Sequence, residues 1–271
     1  MNFVRPVAWM AACWAAVLLA GCAQGPRAAG GVGTGGRTDI MTESDEPDSR
    51  RRARLRLELA SGYFEAGQTN VALDEIKQAI AADPNFADTY NLRGLVYLRL
   101  NDIPLAEESF RRALSLNPRD GDAAHNYGWL LCQQARYPDS FQMFGQAINN
   151  PTYSGQAKSL MAQGICQVRA GQPVQAEQSL VRSYEMDAGN PVTAYNLSSL
   201  LYGRGELTRA QFYLRRLNNS ELANAETLWL GIKTEQRIGN RDAVLQLGDQ
   251  LKRRYPQSRE AGAYERGMFN E

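Results

Sequence analysis

The sequence predicts an all-α protein: a right-handed α-solenoid of about six helix–turn–helix repeats, closed by a C-terminal capping helix. Three observations carry that prediction. Small residues recur at Ala60, Gly94, Gly128, Gly164, Ser198 and Gly231, and a second small set follows twelve positions later at Ala72, Ala106, Ser140, Ala176, Ala210 and Ala243. A large apolar residue comes four positions after that, at Ile76, Phe110, Phe144, Leu180, Leu214 and Leu247. Beyond residue 50, Ala, Leu, Gln, Glu and Arg dominate, and these side chains lose little rotamer freedom in a helix.

Taken in order, the first 21 residues read as an export signal outside the fold. Arg5 is followed by an apolar run from Val7 to Ala20, too short to span a bilayer comfortably and ending in small residues. The ending Leu19-Ala20-Gly21-Cys22 resembles the bacterial lipobox, which implies cleavage before Cys22 and acylation of that cysteine. Each buried CH₂ contributes about 0.8 kcal/mol, and stable anchoring needs more than one chain. By the same resemblance, Ala23 in place of an Asp implies sorting to the periplasmic face of the outer membrane. Residues 22–50 form the lipidated cysteine and a flexible tether, rich in Gly, Ala, Thr, Ser, Pro and acidic residues. Such a segment cannot bury enough apolar surface to offset the entropy of ordering.

Residues 51–256 hold the repeats, at about 53–86, 87–120, 121–154, 157–190, 191–222 and 224–256. The second small residue is spaced by 34, 34, 36, 34 and 33, the period of tetratricopeptide repeats. The small residues allow the two helices of a repeat, A and B, to cross closely, while Tyr63, Tyr97, Leu131 and Leu201 fill the space between them. Gly67, Gly171 and Gly205 fall at the A-to-B turn, where a left-handed backbone is cheap only for glycine. Pro84, Pro118, Pro151, Pro191 and Pro256 are read as closing the second helices. Repeat four departs with Gln163 and Gln167 at usually apolar positions, and repeat six reads as carrying one extra residue near Ile238-Gly239-Asn240. In residues 257–271, Ser258 is available as an N-cap, and Glu260, Glu265 and Arg266 suit a solvated end helix.

Charge and composition narrow the function to protein binding. Thirty Lys and Arg against 29 Asp and Glu point to neither nucleic acid nor an anionic membrane surface, and the clusters Arg50–Arg54 and Lys252–Arg254 read as solvated faces. A single histidine, His125, has no nucleophile and acid partner that spacing would unite, so the chain reads as no enzyme. No phosphate loop or Cys/His cluster implies a cofactor, a metal or a small-molecule substrate. In a repeat solenoid the A helices line the concave face. Candidate groove residues are therefore Asn91, Leu95, Leu98, His125, Trp129, Met161, Ile165, Tyr195 and Tyr202, an apolar and aromatic set suited to a protein segment. Trp129 is the expected anchor. A carboxylate clamp is incomplete: Asn91, Asn126 and Lys158 fall near the needed positions, but Ala162 stands where an Arg is required. Cys132 and Cys166, one period apart on neighbouring A helices, form either a disulfide in an oxidising compartment or two buried thiols.

Local strings carry a more specific resemblance. The stretch from His125 to Cys132 (HNYGWLLC), then Ala135-Arg136-Tyr137, is similar to repeat three of the type IV pilus biogenesis/stability lipoproteins, the pilotins of the pilus secretin. So are Leu228-Trp229-Leu230-Gly231-Ile232-Lys233 and Leu251-Lys252-Arg253-Arg254-Tyr255-Pro256. The resemblance covers lipobox, tether, repeats and final helix. It implies an outer-membrane lipoprotein that binds secretin subunits and promotes their localisation and multimer assembly. The rival reading is a periplasmic repeat lipoprotein serving another envelope assembly.

Overall fold

The computed structural model describes residues 45–269, and the expected signal peptide, Cys22 and most of the expected tether lie outside the described residues. Thirteen helices and no strand are present among them: α1 (Asp48–Glu65), α2 (Thr69–Ala82), α3 (Ala87–Arg99), α4 (Ile103–Leu116), α5 (Gly121–Gln133), α6 (Tyr137–Ile148), α7 (Gln156–Arg169), α8 (Pro173–Met186), α9 (Pro191–Gly203), α10 (Leu207–Asn218), α11 (Ala225–Ile238), α12 (Arg241–Arg254) and α13 (Arg259–Glu265). Odd-numbered helices from α1 to α11 are the A helices, and even-numbered ones the B helices. Helix α1 begins at Asp48, so residues 48–50, expected in the tether, are helical.

Local signals set the boundaries. Asp102, Asp120, Asn190, Asn240 and Ser258 each accept a backbone N–H in the first turn of the helix that follows. Asn224 and Thr227 form a reciprocal capping box at the start of α11. Pro191 does not close α8, as expected, but opens α9 directly after its Asn190 cap. A first-turn proline lacks only an N–H that would have no helical partner there. The A-to-B turn takes a positive φ in every repeat: Gly67, Gly171, Gly205 and Gly239 at 72° to 87°, and Asn101 and Ala135 at 60° and 58°. At Ala135 the turn is held against the steric cost of a Cβ by the packing of α5 and α6.

Helix crossings follow the small-and-large pattern in repeats two to four. A Cβ on Gly94 would lie 2.5 Å from the Phe110 ring, one on Gly128 3.0 Å from Phe144, and one on Gly164 2.6 Å from Leu180. The core is correspondingly a row of clusters, each shared by adjacent helices. One joins Ala60, Ile76 and Val96; another joins Leu180, Leu197, Leu201 and Leu214.

Repeat six departs from the expected register. Gly239 follows Gly205 by 34 positions, so its turn holds no extra residue. Counted from that turn, the crossing residues are Ile232, Val244 and Gly248 rather than Gly231, Ala243 and Leu247. Ile232 and Val244 are buried, while Ala243 and Leu247 are half-buried. Sizes are exchanged across the crossing: a large residue stands on helix A and a glycine on helix B. Tyr264 of α13 fills the space over Gly248, where any Cβ would overlap its ring.

Consecutive A helices touch from α1 through α11, whereas among the described residues no B helix meets the next B helix. A stack whose members approach on one side curves toward that side. The A helices therefore line its inner face.

Candidate functional site: the inner face of the A helices

All nine expected groove residues lie on A helices, and eight of them are half-buried. Leu95 and Leu98 pack beside Leu130 and Leu131, Met161 beside Leu197 and Leu201, and Tyr195 and Tyr202 on the same cluster as Met161. Trp129 rests on Cys132, Phe144 and Cys166. Each of these side chains is thus partly packed and partly exposed.

His125 is the exception. It is 6% exposed, packs at 5.8 Å from the Phe144 ring, and shares a 2.9 Å hydrogen bond between its Nδ1 and Ser159 Oγ. Burial, with Lys158 adding repulsion, pushes its pKa down to about 4, so it is neutral at pH 7. It joins α5 to α7 and presents nothing to a partner, because helix α7 covers it. The carboxylate clamp is likewise not assembled. Asn126 donates to Asn91 Oδ1 at 3.0 Å, and Ala162 is buried.

Cys132 and Cys166 form a disulfide, with Cα atoms 5.9 Å apart. Trp129 stands one turn before Cys132 on α5, and Arg169 one turn after Cys166 on α7. The bridge thus fixes the two helices that carry the central aromatic and its basic neighbour. Arg169 lies 5.3 Å from the Trp129 ring centre.

The two edges of the face differ in charge. At the N-terminal ends of α3 and α5, the carboxyls of Asp88 and Asp120 are shifted up, chiefly by burial, with Asp120 repelling Asp88 and Asp122 repelling Asp120. At the C-terminal ends stand Arg99, Arg169 and Arg237. Lys233 sits between, 5.7 Å from Tyr202 and 5.8 Å from Trp229, its pKa lowered by burial.

Sequence reasoning did not foresee the basic edge, although an arginine at or near the last position of α3, α7 and α11 was a visible signal. Nor did it foresee a cleft of about 390 Å³ on the outer side between α10 and α11–α12. That cleft arises where Gly231 and Glu235 replace the Leu197 and Leu201 of repeat five. Glu235 is nearly buried and held by Arg215 at 2.9 Å, Gln211 at 2.8 Å and Asn240 at 3.0 Å. This saturated network ties repeat five to repeat six.

With this geometry in hand, comparison with known proteins places the chain. The tetratricopeptide-repeat family model matches residues 57–120 and 91–154. The type IV pilus assembly protein PilF of Pseudomonas aeruginosa is 29% identical over 231 residues, covering 85% of this chain and 90% of PilF. The solved structure of P. aeruginosa PilF superposes with a TM-score of 0.73 over 82% of this chain and all of that one. The structure of PilW, a widely conserved type IV pilus biogenesis factor, is 30% identical with a TM-score of 0.70, covering 78% of this chain and 97% of PilW. The chain belongs to the tetratricopeptide-repeat family of type IV pilus biogenesis proteins that includes PilF and PilW.

Proposed function

We propose that this chain is a lipid-anchored scaffold on the periplasmic face of the outer membrane. It binds subunits of the type IV pilus secretin and promotes their localisation and multimer assembly. The observation that carries this reading is likeness to two pilus biogenesis proteins across the whole repeat array. The Leu19-Ala20-Gly21-Cys22 motif supports the anchoring part of the reading. The chemistry of the inner face suits a protein ligand: half-buried Leu95, Leu98, Trp129, Met161, Ile165, Tyr195 and Tyr202 offer apolar area at low entropic cost. Acylation at Cys22 would confine this face to the membrane surface and raise its effective concentration there.

The reading is tested by membrane fractionation. Deleting the gene should deplete secretin multimers from the outer membrane. A Cys22→Ser chain should still capture secretin subunits in solution without restoring multimers at the membrane. Trp129→Ala should weaken capture by about tenfold, the loss expected of an interface anchor. Undiminished multimers in the deletion strain would overturn the proposal.

A further inference from the structure

Arg99 is the last residue of α3, Arg169 the last of α7, and Arg237 the last but one of α11. Each lies across an aromatic ring on the preceding A helix. The guanidinium carbon is 3.6 Å from the ring centre of Phe64, 5.3 Å from that of Trp129 and 4.7 Å from that of Tyr202, respectively. The intervening A helices α5 and α9 carry Gln133 and Gly203 at the matching place, against Leu98 and Val168. Basic–aromatic rungs therefore alternate with neutral, apolar steps along one edge of the inner face.

Helix capping accounts for part of this pattern only. Arg99 and Arg237 each donate to the backbone carbonyl of the residue whose ring they cover, and a cation suits a helix C-terminus. Arg169 makes no hydrogen bond within the described residues, yet it too lies over a ring of the preceding A helix, that of Trp129. All three side chains belong to exposed residues, and none pairs with a carboxylate among the described residues. Three arginines at other places are neutralised, Arg136 by Glu107, Arg204 by Glu177 and Arg215 by Glu235, whereas Arg112 and Arg216 on B helices also lie over rings, those of Tyr90 and Tyr184, without a carboxylate partner among the described residues. A guanidinium held over a ring is restricted in its movement, and it keeps N–H groups available for a carboxylate.

We infer that this edge binds an extended acidic segment of the partner protein, one carboxylate cluster to each rung. The inference rests on the scaffold reading above and names the chemistry of its partner. Neighbouring helices lie 8–10 Å apart, so rungs two helices apart are separated by roughly 18 Å. An extended chain rises about 3.3 Å per residue, which sets the clusters about every six residues. The Cys132–Cys166 disulfide, one turn from both Trp129 and Arg169, holds the central rung rigid.

The test is fluorescence anisotropy with the unacylated full chain, Cys22→Ser, and three labelled 16-residue Gly/Ser peptides. One carries glutamate pairs six residues apart, one the same glutamates in a single block, and one lysine pairs in place of the spaced glutamates. The spaced acidic peptide should bind at low salt, at least fivefold more tightly than the block, and the lysine peptide should not bind. Arg99→Gln/Arg169→Gln/Arg237→Gln should weaken the spaced peptide at least tenfold. Arg169→Gln alone removes no hydrogen bond of the fold, so its expected threefold loss stands even if the triple variant is unstable. Equal binding of the block or the lysine peptide, or unchanged affinity in Arg169→Gln, would overturn the inference. No secretin enters this measurement, so its failure is distinct from failure of the secretin reading.

Discussion

His125 shows how one side chain changes role when its surroundings are known. One turn before Trp129 in the sequence it reads as a groove residue; in the fold it is enclosed against Ser159 of α7 and Phe144 of α6. Its folded pKa of about 4 lies below the unfolded value of 6.5. Between those pH values the unfolded chain takes up a proton that the folded chain refuses. Stability from this group is therefore fully present above pH 6.5 and falls as pH drops toward 4, by up to about 3 kcal/mol. Urea unfolding from pH 7.5 to 4 should show this slope, and His125→Gln should flatten it relative to the parent. Parallel profiles for the two proteins would contradict the burial argument.

At the scale of elements, the α5–α7 pair is the best-fixed part of the inner face. Adjacent A helices otherwise meet lightly, each repeat being held mainly by its own A–B packing and by the next A helix. The disulfide adds a covalent tie that closes a loop of 34 residues. In the chain-entropy account such a loop contributes about 3–4 kcal/mol. Cys132→Ala/Cys166→Ala should lower the unfolding free energy by that amount, and reduction of the parent should have the same effect. An unchanged urea midpoint in both cases would show that the bridge contributes nothing.

At the scale of the molecule, the described residues form a row of clusters shared by adjacent helices, so damage should stay local. The C-terminal end depends on α13, since Tyr264 covers Gly248, and Ala261 and Ala263 join Trp229, Ile232 and Leu251. Among the described residues the N-terminal end has no such cover: Leu55 and Leu59 are each about half exposed, at 52% and 50%. Tyr264→Ala should cost about 2–3 kcal/mol, below the full range for a buried aromatic because Tyr264 is only half-buried. Hydrogen exchange should accelerate in α11 and α12 and remain unchanged in α1 to α4, as nearest-neighbour coupling requires. Uniform acceleration along the chain would show global cooperativity instead.

The sequence by itself determined the helix count, the period, the alternation of A and B helices and most of their ends. Those properties depend on short-range chemistry: Asn190 and Ser258 cap the helices beside them, and Gly67 or Gly205 turns the chain where it stands. Five crossings followed from the same spacing because a small residue and a large one simply alternate there. Only the tertiary structure decided the sixth. Gly231 does face Leu247, with a Cβ there 3.3 Å from its Cδ1, but Tyr264, about thirty residues from Ile232 in sequence, crowds Gly248 as well and shifts the crossing to Ile232, Val244 and Gly248. The burial of His125 and the placement of three arginines over aromatic rings were decided in the same way. Each depends on what lies across from a residue on another helix, which periodicity along one helix does not encode.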